Sequence, residues 1–139
     1  MNADDMKSIV RQYLESLYNR GEAEAADAII DPDVVFHEPS QAIHGREALK
    51  ARAVTFRTAF PDLRVEIDDV LAEDDRVATR WTLHGTHGGE FAGLAATGKS
   101  VYVSGITIWR IAGGKIREAW SHYDARGLMQ KLGAADPSS

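Results

Sequence analysis

The sequence predicts an α+β fold: a cone-shaped α+β barrel in which three N-terminal helices pack on a strongly curved, mainly antiparallel sheet, with a short C-terminal helix. Three observations carry that expectation. Apolar residues recur at three- and four-residue spacing through roughly the first 60 positions, and from Leu63 onwards the period changes to two. Residues 101–124 then read as two strand-like runs joined by Ala112-Gly113-Gly114-Lys115, whose paired glycines supply the positive φ of a tight hairpin turn. Helices gathered first and strands second segregate onto opposite layers. No repeat or linker-like break interrupts the 139 residues, so 1–139 is expected to form one domain, long enough to bury a core. A cone of this kind has an open end, where bent sheet and helices fail to meet and pockets form.

Residues 6–20 form the first expected helix. Ile9, Val10, Tyr13, Leu14 and Leu17 share its apolar face, and Asp4 and Asp5 sit where they cap the helix and complement its dipole. Gly21 ends it. Residues 22–30 form a short second helix packing through Ala25, Ala28 and Ile29, and Asp31-Pro32-Asp33 turns the chain. A short strand over 34–38 is stopped by Pro39, which has no N–H to give a ladder. The third helix, 45–60, carries Leu49, Ala53, Phe56 and Phe60 in one stripe and is closed by Pro61-Asp62. Beyond it Leu63, Val65, Ile67, Asp69 and Leu71 alternate with charged residues, and 73–75 is an acidic turn. A longer strand over 77–87 presents Val77, Thr79, Trp81 and Leu83 on one face. Residues 87–99 are a Gly-rich excursion before the 101–124 hairpin. Residues 126–132 add a last helical turn or two, and the tail from Gly133 reads as frayed.

Composition narrows the function classes. Forty-four per cent hydrophobic and 27% charged residues are ordinary for a soluble globular chain. A net charge of −5, with no cluster of Lys and Arg among aromatics, argues against a nucleic-acid partner. The absence of cysteine excludes disulfides, thiolate metal sites and Cys nucleophiles. The acidic, polar start MNADDMKS does not read as a signal peptide, and no apolar run approaches the roughly 20 residues of a membrane span. The expectation is a cytoplasmic protein with no membrane partner.

Chemistry concentrates in the second run of the hairpin. Period two puts Ile116, Glu118, Trp120, His122 and Asp124 on one face, and Lys115, Arg117, Ala119, Ser121 and Tyr123 on the other. A face mixing large apolar and titratable groups is either half solvated or lines a cavity. The cavity would be an active site. Asp124 is then a candidate general acid/base, its pKa raised by apolar neighbours; alternatively it caps the last helix. His122, two residues away, could relay a proton or sit at a rim satisfied by water. His37 is a third candidate: strand parity places His37 and Glu38 on opposite faces, so only one points inward, and His37 is the one expected to. Trp81 and Trp120 suit a planar or hydrophobic ligand as well as a core, and Ile116, Phe56 and Phe60 complete the candidate walls. Tyr13 could offer its phenol to an oxyanion or simply pack. His44, His84, His87 and Glu90 show no metal-ligand spacing, so no metal is expected. The glycines at 88–89 and 113–114 do not open helices and read as turns, not phosphate loops.

Several motifs point further. Trp81 with Gly85-Thr86-His87-x-Gly89, Thr97-Gly98-Lys99, Gly114-Lys115-Ile116 with Glu118, Trp120 and Asp124, and Leu128 with Lys131-Leu132-Gly133 resemble the SnoaL-like polyketide or ester cyclases. These belong to the superfamily of nuclear transport factor 2 and the ketosteroid isomerases. Phe60-Pro61-Asp62-Leu63 and His37-x-Pro39 fit the same pattern, and the match runs from Met6 to Gly133. The resemblance implies a homodimer through the sheet, no cofactor, and an intramolecular aldol ring closure in a small hydrophobic carbonyl compound. The aspartate that serves such cyclases as general acid/base corresponds to Asp124. The same scaffold also hosts isomerases, dehydratases and non-catalytic binding or dimerisation modules. Residues 106–110 carry no counterpart of the histidine that the cyclases place on the preceding strand. Glu38-Pro39 is similar to the isomerases' aspartate before proline, while their second acid falls near Thr107.

Overall fold

The helical layer and the sheet meet much as the change of period implies, with the departures concentrated where the chain bends. The structure, a computed structural model, describes residues 1–133. Helix α1 (Ala3–Tyr13) starts at Asn2, whose side chain accepts the Asp5 N–H while the Asp5 carboxylate accepts the Asn2 N–H. This capping box makes Asn2, not Asp4 or Asp5, the cap. The next six residues, Leu14–Asn19, widen into a π-helical turn, in which the Arg20 N–H reaches the Glu15 carbonyl at 2.9 Å. The expected second helix is a tighter 3₁₀ segment, Ala23–Ala28.

Strand β1 (Ile30–His37) pairs with the three-residue β2 (Ala42–His44), too short to show a period in the sequence. Helix α2 (Arg46–Ala59) follows Gly45, whose φ of 93° lies in the left-handed region that glycine favours. The remaining elements are β3 (Arg64–Glu73), β4 (Arg76–Thr86), β5 (Ser100–Ala112), β6 (Lys115–Tyr123) and α3 (Ala125–Lys131). The six strands run in the order β2-β1-β6-β5-β4-β3, antiparallel except for the β1–β6 pair. The α+β class therefore holds. Val10, Tyr13 and Leu17 from the first helical segment, with Leu49, Ala53 and Phe60, bury their side chains against Val77, Trp109 and Ile111 of the sheet.

Two bulges shape that sheet. In β3, Ile67 faces Trp81 and Asp69 faces Arg80, so Asp68 is unpaired. In β6, Ile116 faces Ile111 and Glu118 faces Arg110, so Arg117 is unpaired. An extra residue bends its strand and sharpens the local twist, and it also reverses the side-chain alternation beyond it. The expected Leu63-to-Leu71 face is thereby broken: Leu71 is 69% exposed, while Val70 and Ala72 turn toward the core. The same reversal governs β6. Ala119 and Ser121 are buried on the concave side, and Glu118, Trp120 and His122 go to the convex side.

The excursion over residues 87–99 is strapped to the end of α2. The Gly88 and Gly89 N–H groups both donate to the Ala59 carbonyl. A Cβ at Gly89 would lie 2.3 Å from the Thr58 carbonyl oxygen, so only glycine allows this approach. Among the described residues, no helix is long and apolar enough to cross a membrane.

Candidate active site

Between the concave face of the sheet and the helices lies an aromatic hollow. Phe36 of β1, Phe56 of α2, Trp81 of β4 and Trp109 of β5 form its walls, with Leu14 and Leu128 from the helical side. The two indoles are fixed by hydroxyls on neighbouring strands. Trp81 Nε1 donates to Thr107 Oγ1 at 2.9 Å, Thr107 and Ser121 hydroxyls lie 3.0 Å apart, and Trp109 Nε1 donates to Thr79 Oγ1 at 3.0 Å. A buried indole N–H needs such a partner. The cavity is narrow, about 60 Å³, against the about 300–1,000 Å³ of a drug-sized site. Anything larger than a few atoms enters by moving side chains.

One end of the hollow is polar. Glu38, the residue just after β1, turns its carboxylate inward, and its side chain is only 7% exposed. Arg52 of α2 grips it with two bonds, Nε to Oε1 at 3.3 Å and Nη2 to Oε2 at 2.9 Å. The Tyr123 hydroxyl donates to Oε2 at 3.2 Å. Arg52 also lies over the Phe56 ring, 4.6 Å from its centroid, an attraction that holds the guanidinium at the wall. A forked cation on a carboxylate fixes direction as well as charge, and the pair brings no net charge into the apolar space.

Two more phenols face the same end. Tyr13 is 1% exposed, and its hydroxyl makes no hydrogen bond of regular geometry among the described residues, its near polar neighbour being the Tyr18 phenol. Tyr18 lines the hollow beside it, ring centroids 6.0 Å apart. Burial, reinforced by the neighbouring Tyr18 phenol, pushes the Tyr13 hydroxyl well above the ordinary tyrosine pKa. Burial and then the Glu38 charge push Tyr18 and Tyr123 the same way. All three stay proton-bearing donors in neutral solution. The arrangement offers a carboxylate that can accept a proton and phenols that can stabilise an oxygen gaining negative charge.

Comparison with known proteins gives this geometry a family. The family model for the SnoaL-like polyketide cyclases matches residues 8–132. The chain belongs to that family. Aklanonic acid methyl ester cyclase DnrD of Streptomyces peucetius is 28% identical over 137 residues, covering 94% of this chain and 92% of the relative. The corresponding cyclase DauD of Streptomyces sp. (strain C5) is also 28% identical, covering 94% of this chain and 83% of its own. Among solved structures, TsrD from Streptomyces laurentii superposes with a TM-score of 0.85 at 26% identity, covering 97% of this chain and 99% of its own. A SnoaL-like protein from Jannaschia sp. CCS1 shares the fold, with a TM-score of 0.86 at 23% identity over 96% of this chain and 94% of its own.

In this SnoaL-like chain the residues singled out from sequence are divided between two faces. Tyr13, Phe56 and Trp81 line the hollow. Phe60 and Ile116 are fully buried but belong to the packing around it. The other four lie outside. Asp124 is exposed and caps α3, its Oδ1 accepting the Gly127 N–H at 2.8 Å. His122 is exposed on the convex face, to which the Arg117 bulge turns it. Trp120 lies on that face too, stacked on His37 with centroids 5.6 Å apart. His37 points away from the hollow and meets Glu118 Oε2 at 2.7 Å. That contact first, and the imidazole's charge when protonated, hold the Glu118 carboxyl below its usual value. The parity choice at the end of β1 thus falls to Glu38 and not to His37, the residue expected to face inward. Among the described residues no group of three or more His, Asp or Glu is placed to hold a metal.

Proposed function

We propose that this SnoaL-like chain is a cofactor-independent acid/base enzyme that closes a ring in a small hydrophobic carbonyl compound by an intramolecular aldol step. The observation that supports it is Glu38, a carboxylate almost wholly buried in an aromatic hollow that the buried Tyr13 phenol also lines. Glu38 takes the proton from a carbon next to a carbonyl, and Tyr13 donates to the oxygen that gains charge. The enolate carbon attacks a second carbonyl of the same molecule, forming the carbon–carbon bond. The new alkoxide then takes the proton back from Glu38. Arg52 positions the carboxylate throughout, and the chemistry requires no metal or redox cofactor. Asp124, exposed at its cap, supports the fold in this reading.

Aklanonic acid methyl ester is the first substrate to try, given the relatives. Glu38→Gln should cut its turnover at least about 100-fold, the worth of a general base. Asp124→Asn should keep turnover and fold, since asparagine caps as well as aspartate. The reverse pattern would return the acid/base role to Asp124, and full activity in Glu38→Gln would refute the role given to it. A second reading, an isomerase moving a proton between two carbons, is favoured by the inward Glu38-Pro39; carbon NMR of the product separates it by the absence of a new carbon–carbon bond. We also propose that a second copy of the chain covers the convex face, where Tyr102, Ile106 and Ile108 are 55%, 51% and 39% exposed.

A further inference from the structure

The π-helical turn carries a consequence for what the hollow can hold. On an α-helix, residues five apart point about 140° away from each other, so a regular continuation of α1 would aim Tyr18 elsewhere than Tyr13. The wider turn over Leu14–Asn19, closed by i to i+5 bonding, brings residues five apart onto one side, and both phenols line the hollow. A turn this unusual needs holding. Asn19 does so by imitating a strand: its Oδ1 accepts the Val65 N–H at 2.7 Å and its Nδ2 donates to the Val65 carbonyl at 3.0 Å, with a further 2.8 Å bond to Glu15 Oε2. From the other side, Arg57 Nη1 donates to the Tyr18 and Asn19 carbonyls at 2.7 and 3.0 Å. The buried Tyr13 hydroxyl nevertheless makes no hydrogen bond of regular geometry among the described residues, its polar neighbour being the Tyr18 phenol.

We propose that Tyr13 and Tyr18 together form a two-phenol clamp for one carbonyl oxygen of the ligand, and that Asn19 is the positioning residue that holds the π turn and so delivers Tyr18 to it. The inference rests on the hollow being a carbonyl site, as in the preceding section, and adds the second donor and the device that places it. Recognition is of an aromatic or alkyl ketone oxygen that accepts two hydrogen bonds. One phenol alone would leave the other donor buried without a partner once water is displaced, a cost of the kind that selects against ligands lacking the acceptor.

The experiment uses the full chain and carbonyl-¹³C acetophenone, followed by infrared spectroscopy of the C=O stretch and by titration. Two donors lower the stretch further than one. Tyr13→Phe and Tyr18→Phe should each move the band part of the way back, and the double variant should bring it to the value in hydrocarbon. Each single change should weaken binding about five- to tenfold, the worth of one hydrogen bond. Asn19→Ala should reproduce the Tyr18→Phe band and add nothing in the Tyr18→Phe background, the non-additivity of two residues acting through one contact. A loss of general stability would not move the band of bound ketone in that selective way. A band unchanged by Tyr18→Phe overturns the clamp while leaving the carbonyl site standing. A band moved by Tyr18→Phe but not by Asn19→Ala overturns the role of Asn19. Absence of saturable binding rejects the hollow as a carbonyl site and the clamp with it.

Discussion

The two faces of β6 hold different kinds of side chain and put them to opposite uses. On the concave side Ala119, Ser121 and Tyr123 are small or hydroxylated, and Ser121 and Tyr123 join networks that end in buried groups. On the convex side Glu118, Trp120 and His122 look the more catalytic set, yet their partners are His37, Arg110 and Arg76 at the surface. Glu38 and His37 repeat the contrast one strand away. Enclosure rather than residue type separates the two sets: Glu38 is held by Arg52 and Tyr123 in a nearly closed aromatic space, while the half-buried His37–Glu118 pair is satisfied by its own contact and by solvent.

That contrast can be broken or sharpened. The largest effect on stability is expected at Gly105, where an added methyl would sit 2.5 Å from Trp81 Cζ2 and 2.8 Å from the His122 carbonyl oxygen. Gly105→Ala should cost about 1–3 kcal/mol in urea unfolding through overpacking of the concave face, whereas His122→Ala on the convex face should stay within about 0.5 kcal/mol. Similar costs for both would dissolve the distinction. Next comes pH. Because the folded-state pKa of Tyr13 is raised, the folded chain keeps a proton that the unfolded chain releases above pH about 10. Stability is therefore intact below that pH and falls as pH rises through it. Tyr13→Phe should flatten the decline by up to about 1.4 kcal/mol per pH unit; an unchanged slope would place that phenol in water. The smallest effect on the fold belongs to Ile106→Asp on the convex face, within about 0.5 kcal/mol for the single chain. It should nonetheless halve the mass found by light scattering. A wild-type chain already monomeric at high concentration would remove the second copy from that face.

Much of the fold is legible because it rests on long, regular segments. The stripe of Leu49, Ala53, Phe56 and Phe60 and the buried face of Val77, Thr79, Trp81 and Leu83 follow from period alone. The site is less legible because it is made by irregularities. A period-two reading of β6 holds only to Arg117, where one unpaired residue turns Trp120 and His122 outward and Tyr123 inward. Tyr18 escapes notice because α-helical spacing separates it from Tyr13, and only the π turn joins them. Glu38 is legible as half of a parity choice, but Arg52, fourteen residues on, announces nothing until α2 is laid against the end of β1. Asp124 illustrates the converse: its capping role is readable from its place before a short helix, and the exposed position agrees with it. Bulges and π turns are single-residue insertions into regular patterns, and a pattern has no signal for its own exception.

The parallel pairing of β1 with β6 joins an early segment to a late one: Tyr123 meets Glu38 across 85 positions of sequence. A ribosome-bound or C-terminally clipped chain ending before β6 would lack both a wall and a hydroxyl for the carboxylate. Such distant pairing forms slowly, so the polar end of the hollow would be completed only at the end of folding, when the last strand has docked.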